Sequence, residues 1–265
     1  RVLPERVAQL EKQWGLDKPP YVQYFYWVYN VLKGDLGNSI TTGEKVSKLV
    51  ESRLPFTLML TGWALLLEYI IAIPLGLISA ARKNSRLDKA LVTTTIVLWS
   101  MPAFWLGILL ILGFGVNMKL LPISGYSGPK SLLLPVMTMV LPVLAQVYRL
   151  TRSEVMEVLR DKYILTAYAK GLREKRVLFF HVLRNALIPI TVMFFLSLPW
   201  LIGGSVIVES VFAWPGMGRL LWRSISGQDF PVVQGIILII AILTVVSNII
   251  GDIISALLDP RIMLD

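Results

Sequence analysis

Apolar runs separated by short charged segments cover most of the chain beyond residue 55. A helix needs about 20 apolar residues to cross a bilayer, and every run except the third reaches that length. The third is shorter and contains Pro135 and Pro142. The predicted spans lie at about 56–81, 90–117, 132–148, 186–209 and 231–257. The pattern predicts an all-α, polytopic transmembrane helical bundle over residues 56–265, preceded by a more polar N-terminal segment, 1–55.

Basic residues indicate which loops face the cytoplasm. They are concentrated at 82–89 and in the long segment 149–185, and cytoplasmic loops are enriched in lysine and arginine. The loops 118–131 and 210–230 carry few basic residues, so we expect them outside the membrane. The odd number of spans then places segment 1–55 outside as well. Because an exported N-terminus without a signal peptide is unusual, we expect the natural chain to extend before Arg1.

The segment between the third and fourth spans has the pattern of a bent amphipathic helix. Tyr163, Ile164, Ala167 and Tyr168 recur at helical spacing, and Gly171 interrupts them. Glycine adopts the left-handed conformation that ends one helix and turns into the next. The sequence therefore predicts two short helices bent at Gly171. One face is too apolar to remain bare in water, which indicates contact either with a partner protein or with the chain's own helical bundle.

Composition excludes several classes of function. The chain is 55% apolar, carries a formal net charge of +9 and contains no cysteine, and its mean hydropathy is +0.66. Its basic residues lie at the ends of the apolar runs, where they anchor a membrane protein, so we expect no nucleic-acid partner. There is no phosphate-binding glycine loop and only one histidine, His181. We expect no catalytic residue, metal site or bound cofactor in this chain.

Four motifs in order resemble those of one transporter family. The run 166–172 (TAYAKGL) and the run 184–189 (RNALIP) are similar to the "EAA loop" of ABC-importer permeases, with Leu165 and Thr166 in place of its Glu and Ala. The segments 34–39 (GDLGNS), 209–218 (ESVFAWPGMG) and 259–261 (DPR) resemble signatures of the dipeptide, oligopeptide and nickel permeases.

The resemblance implies a type I ABC-importer permease fold in a bacterial or archaeal plasma membrane, with a further transmembrane helix before Arg1. It also implies four kinds of partner: a second homologous permease, two ATPase subunits that use ATP and magnesium, an extracytoplasmic solute-binding protein, and lipid. By this resemblance, the chain is a transport subunit and not an enzyme. The aromatic stretch 21–32 then has two interpretations, packing in the membrane interface or docking of the binding protein.

Two sets of residues are candidates for function. The ATPase-coupling set lies in or beside the cytoplasmic segment and comprises Tyr163, Thr166, Ala167, Ala169, Lys170, Gly171, Leu172 and Arg184. The pathway or gate set lies in the spans and the outward loop and comprises Met101, Phe104, Trp105, Met137, Gln146, Trp200, Phe212, Pro215 and Gly216. Pro215-Gly216 also suits the centre of a type II turn, in which glycine takes a positive φ.

The sequence indicates the family more clearly than it indicates the transported substrate. An apolar, weakly polar lining suits variable side chains, so we expect short peptides, with nickel or another metal chelate as the alternative within the same family. A secondary transporter is a further alternative, but it is typically built from inverted repeats with charged residues at the midplane, and neither pattern is evident.

Overall fold

The computed structural model describes residues 18–258, without the side chains at positions 199–202, 204, 255 and 258. Helices make up most of this part, and within it no β-strand occurs, only an isolated antiparallel bridge between Asn38 and Lys45. The all-α prediction is therefore confirmed. The N-terminal residues 1–17 and the motif Asp259-Pro260-Arg261 lie outside the described residues.

The helices follow one another with short connections. In chain order they are α1 (Pro20–Leu32), α2 (Val46–Ala81), α3 (Arg86–Ser100), α4 (Ala103–Leu110), α5 (Leu133–Val158), α6 (Lys162–Ala169), α7 (Leu183–Val211), α8 (Met217–Ser226) and α9 (Phe230–Leu258). A π-helical segment, Ile111–Asn117, extends α4, and a second one, Val177–Val182, leads into α7.

Length and apolarity allow four of the described helical segments to cross a membrane, or five if one bent pair counts as a single span. The straight segments are Val46–Ala81, Pro129–Val158, Glu174–Leu198 and Phe230–Ile254. The bent pair is Arg86–Ser100 with Ala103–Asn117, whose axes meet at 102°. We call the end that holds 34–45, 118–128 and 212–229 the outer end, and the end that holds 82–89 and α6 the inner end.

The bend between α3 and α4 follows from Pro102. A proline ring disfavours the helical conformation of the residue before it, and Met101 is extended, with φ −83° and ψ 126°. Pro102 then serves as the N-cap of α4. The segment predicted as one span at 90–117 is therefore two helices that meet at a sharp corner within the apolar part of the chain.

Two helices extend beyond the apolar runs that predicted them. Helix α2 begins at Val46, in the segment assigned by sequence to the N-terminal part, and α5 continues to Val158 inside the predicted cytoplasmic segment. Both extensions bury one side: Val46 and Val155 are fully enclosed by neighbouring elements. Helical hydrogen bonding thus continues wherever tertiary packing supports it, even where the sequence is no longer continuously apolar.

The contact between α2 and α5 forms the centre of the bundle. It buries Leu60, Ala64 and Leu65 of α2 together with Leu144 and Tyr148 of α5. Near the inner end the two backbones approach closely at Gly76, where an added Cβ would lie 2.7 Å from Cβ of Thr151 and 3.0 Å from the carbonyl oxygen of Tyr148. A glycine is required there because no side chain fits.

We predict that Gly76→Ala lowers the stability of the isolated chain by about 1–3 kcal/mol, because the methyl group forces α2 and α5 apart. Gly62→Ala is the matched control, since a Cβ at that position in the same helix meets nothing within 4 Å. Alanine there gains roughly 0.5–1 kcal/mol of helix propensity. Thermal unfolding in detergent tests the pair, and equal melting temperatures for the two variants would contradict the close approach.

Candidate functional site

The elbow, defined as residues 162–182, begins with α6 and turns at Gly171. Gly171 has φ +77°, which confirms the left-handed glycine predicted from the sequence. Its N–H donates to the carbonyl of Tyr168, and the N–H of Leu172 donates to the carbonyl of Ala167. These two bonds form a Schellman motif, which ends α6 and satisfies its last carbonyls.

One face of the elbow packs on the bundle itself. Ile164 is fully buried and Ala167 is 8% exposed, and both lie in a cluster with Leu77 and Ala80 of α2 and Val155 of α5. The elbow is therefore attached to the inner ends of the two central helices. Ala167, a candidate for contact with a partner, faces the chain's own core instead.

The opposite face of the elbow is open to solvent. The exposed coupling candidates are Tyr163, Thr166, Ala169, Lys170, Gly171 and Arg184, and Leu172 is half-buried. Two large apolar side chains that the sequence did not single out are more exposed still: Leu165 at 62% and Phe180 at 70%. The combination of an anchored inner face and an apolar outer face is what a docking surface requires.

An ion pair between a partly exposed arginine and a buried carboxylate joins three helices next to the elbow. Arg152 of α5 donates to both carboxylate oxygens of Asp88 on α3, at 2.8 and 2.9 Å. Asp88 also accepts hydrogen bonds from the main-chain N–H of Asn84 at 2.8 Å and from the hydroxyl of Ser79 on α2. The Ser79 hydroxyl in turn lies 2.6 Å from that of Tyr148. No local sequence pattern indicates this network, because its members come from separate helices.

The corner between α3 and α4 forms an open groove. It encloses about 590 Å³ and is lined by Ile96, Val97, Ser100, Met101, Pro102, Phe104 and Trp105. Three pathway candidates, Met101, Phe104 and Trp105, are thus brought together. The groove is mainly apolar and aromatic, and it opens away from the bundle core.

Of the other pathway candidates, those whose side chains are described do not join the groove. Met137 and Gln146 are exposed on α5, but at 3.6 residues per turn they lie on opposite sides of that helix. Phe212 is only 1% exposed and packs in the central core. The side chain of Trp200 lies outside the described residues.

Glu209 organises the outer loop. Its carboxylate is completely buried and accepts hydrogen bonds from the hydroxyls of Thr57 at 2.7 Å and Ser205 at 3.1 Å. It also accepts one from the main-chain N–H of Arg219 at 2.9 Å, in the first turn of α8. An acidic group at a helix N-terminus satisfies donors that have no partner within the helix. Glu209 therefore fixes α8 to α2 and α7.

The type II turn predicted at Pro215-Gly216 is wrong. Gly216 has φ −92° and ψ −179°, which is extended backbone, and the positive φ in this loop belongs to Ala213. The glycine is needed for a different reason: a Cβ at position 216 would lie 2.4 Å from the carboxylate of Glu209. Pro215 is half-buried and Gly216 is buried.

A second carboxylate holds the outer segment 34–45. Asp229 accepts hydrogen bonds from the hydroxyls of Ser39 at 2.5 Å and Thr41 at 2.7 Å, and from the N–H of Ile40 at 3.0 Å. Burial raises the pKa of Asp229, but these hydrogen bonds outweigh it, so the pKa lies below its ordinary value. The segment GDLGNS, which resembles a family signature, thus belongs to a loop that Asp229 holds against the start of α9.

Comparison with known proteins identifies close relatives along nearly the whole chain. It is 41% identical over 265 residues to the oligopeptide transport system permease protein AppB of Bacillus subtilis, covering 96% of this chain and 84% of that protein. It is 37% identical over 290 residues to the di/tripeptide transport system permease protein DppB of Pseudomonas aeruginosa, with coverage of 99% and 86%. It is also 35% identical over 261 residues to the metal-staphylopine import system permease protein CntB of Staphylococcus aureus, with coverage of 98% and 84%.

Family and fold comparisons agree with these relatives. Residues 72–264 match the family model described as binding-protein-dependent transport system inner membrane component. Among solved structures, the fold resembles a chain of the MetNI methionine ABC transporter in an inward-facing conformation, with a TM-score of 0.68 and 18% identity. That match covers 80% of this chain and 97% of the other chain.

We predict that Arg152→Gln destabilises the chain by about 3–5 kcal/mol, because it leaves the carboxylate of Asp88 buried without its counter-charge. Arg152→Lys retains the charge but loses the two-pronged contact, so its cost is smaller, about 1–2 kcal/mol. Arg160→Gln, on an exposed arginine near the same end, is the control for charge removal. Melting temperatures in detergent measure the series, and equal effects at positions 152 and 160 would contradict a structural ion pair.

Proposed function

Because this chain belongs to the family of binding-protein-dependent transport system inner membrane components, we propose that it carries short peptides across the plasma membrane and couples to a separate ATPase through its elbow. Membership makes it a multi-pass membrane permease of an ABC importer. The peptide cargo and the coupling surface are the proposed parts. The single observation that carries the proposal is the elbow, which is anchored on one face and exposed and apolar on the other.

Contacts of the elbow support its role in coupling. Ile164 and Ala167 join it to α2 and α5, so force applied to its outer face passes directly to the central helices. Leu165 and Phe180 offer apolar area to a partner. The exposed Lys170 favours a partner whose binding groove has an acidic rim. In this proposal, ATP and magnesium are held by the partner ATPase subunits, and this chain supplies no residue to them.

The groove at the α3–α4 corner supports its role as one wall of the pathway. A helix break leaves carbonyls of the last turn without main-chain donors. Such backbone is tolerated at membrane depth only when it is buried in protein or lines a water-filled cavity. A lipid-facing position is therefore unfavourable for this corner. We place the second permease subunit opposite it, so that two such grooves enclose the route.

Names of relatives and the chemistry of the groove together favour peptides. Two similar proteins are named for oligopeptides and for di- and tripeptides. The groove is lined in part by Met101, Phe104 and Trp105. Such apolar side chains accommodate substrate side chains of different sizes and require no particular polar group. The second candidate is a metal chelate, favoured by the likeness to a permease named for metal-staphylopine. An extracytoplasmic binding protein would deliver either cargo to the outer end.

We predict that Gly171→Val abolishes peptide-stimulated ATP hydrolysis in the complete transporter while the chain still inserts and assembles. Valine is β-branched and disfavours the left-handed conformation by roughly 1–2 kcal/mol. Gly171→Asn is the matched variant, because asparagine tolerates this conformation, and a Cβ at position 171 meets nothing within 4 Å of the chain itself. We expect the Asn variant to retain most stimulation. Full stimulation and uptake in the Val variant would rule out a role of this turn in coupling.

We predict saturable, ATP-dependent uptake of short peptides by proteoliposomes that contain the whole transporter with its binding protein. A labelled series from dipeptide to pentapeptide would be compared with nickel, supplied free and as a chelate. Trp105→Ala enlarges the groove, so we expect it to change the relative uptake of peptides with large and small side chains. Uptake of the nickel chelate with none for any peptide would replace the peptide proposal by the second candidate.

A further inference from the structure

A small pocket at the outer end is lined by three arginines. Arg53 comes from α2, and Arg219 and Arg223 come from α8, with Pro215, Gly216 and Leu220 completing the wall. The enclosed volume is about 40 Å³. It admits the tip of a molecule, such as a single planar group, rather than a whole amino-acid residue.

The positive charges in this pocket have no carboxylate partner within residues 18–258. The one ion pair in that range, between Arg152 and Asp88, lies at the inner end. The nearby carboxylate of Glu209 is engaged by Thr57, Ser205 and the main-chain N–H of Arg219.

The arginines also repel one another. Burial, followed by the charges of Arg223 and Arg53, lowers the pKa of Arg219 below its ordinary value. A bound anion would relieve this repulsion, so the pocket is electrostatically prepared for a negative group.

The chemistry of the lining selects the kind of anion. Guanidinium groups are planar, and their paired N–H donors match the two oxygens of a carboxylate. The guanidinium of Arg219 already donates to the carbonyl oxygen of Ala213, which holds this side chain in place. Arg53 and Arg223 carry no such contact among the described residues, so their donors are available to a ligand.

The pocket is structurally connected to the groove. Its wall at Pro215 and Gly216 follows closely after Phe212, and Phe212 packs against α4 so tightly that a Cβ on Gly107 would lie 3.2 Å from its ring. Helix α4 carries Phe104 and Trp105 of the groove. The loop that forms this wall of the arginine pocket is therefore packed on the helix that lines the proposed pathway, and positive charge near the pathway attracts anionic cargo.

We propose that Arg53, Arg219 and Arg223 form a carboxylate-binding pocket at the outer mouth, which receives the C-terminal carboxylate of a peptide as it enters the transporter. This inference rests on the proposed peptide function. It adds a determinant of specificity, because every unmodified peptide has this group whatever its side chains. A peptide whose C-terminus is an amide lacks the charge and is expected to enter poorly.

The test compares a labelled tripeptide with its C-terminal amide, using the complete transporter and binding protein in proteoliposomes. Arg53→Gln and Arg223→Gln are the variants, because Arg219 also supports the loop through Ala213. Loss of one charged hydrogen-bond partner is expected to raise KM for the free acid about tenfold, the equivalent of roughly 1.4 kcal/mol. The amide should be unaffected. Arg223→Lys should retain part of the preference for the acid, and Lys130→Gln, an exposed outer-loop position, should retain all of it.

Equal loss of uptake for acid and amide in the arginine variants would overturn the proposal and point instead to an acidic surface of the binding protein. Failure of the wild-type transporter to take up either peptide would contradict the proposed function. In that case, the anion-binding pocket is tested separately, with a small dicarboxylate in place of a peptide. Succinate binding to the complex in nanodiscs, followed by ligand-detected NMR, should weaken in Arg223→Gln and not in Lys130→Gln. Identical succinate binding in the wild type and Arg223→Gln would overturn the pocket itself.

Discussion

The close contact between α2 and α5 is the interaction on which the other parts of the structure depend. It brings the two backbones together at Gly76, and polar anchors extend from α2 at both ends. At the outer end, Thr57 binds Glu209, and the main-chain carbonyl of Phe56 accepts a hydrogen bond from the indole of Trp214 at 3.0 Å. At the inner end, Ser79 joins the network of Asp88 and Tyr148. One helix pair thus fixes the position of the outer loop, the groove helices and the elbow.

The distribution of buried polar groups fits this arrangement. The anchors formed by Asp88, Glu209 and Asp229 each connect elements distant in sequence, and each carboxylate has several donors. Because removal of one partner leaves a buried charge unsatisfied, such sites define a unique geometry at the cost of sensitivity to mutation. They lie at the ends of the long helices, while the middle of the bundle is held mainly by apolar packing.

Sequence reasoning succeeded where the signal is local. Apolar runs predicted the helical bundle, helical spacing with a glycine predicted the turn at Gly171, and the residues around Pro102 form one groove because they are neighbours in the chain. It failed where the reason is tertiary. Gly216 is a glycine because Glu209 approaches it and not because of its φ angle. The contact of Ser39 with Asp229 spans 190 residues and has no local signature.

The length of α2 has a consequence for what stabilises the ends of the protein. Its 36 residues extend about 54 Å at 1.5 Å per residue, which exceeds the roughly 40–45 Å of a whole bilayer. We therefore expect the first turns of α2 to lie in water, where Val46 and Val50 share a buried cluster with Met217 of α8. Exclusion of water holds such a cluster together, whereas helices within lipid associate through van der Waals packing and hydrogen bonds. The outer end is thus expected to respond to cooling and to urea as a small soluble protein does, and the membrane-embedded middle is not.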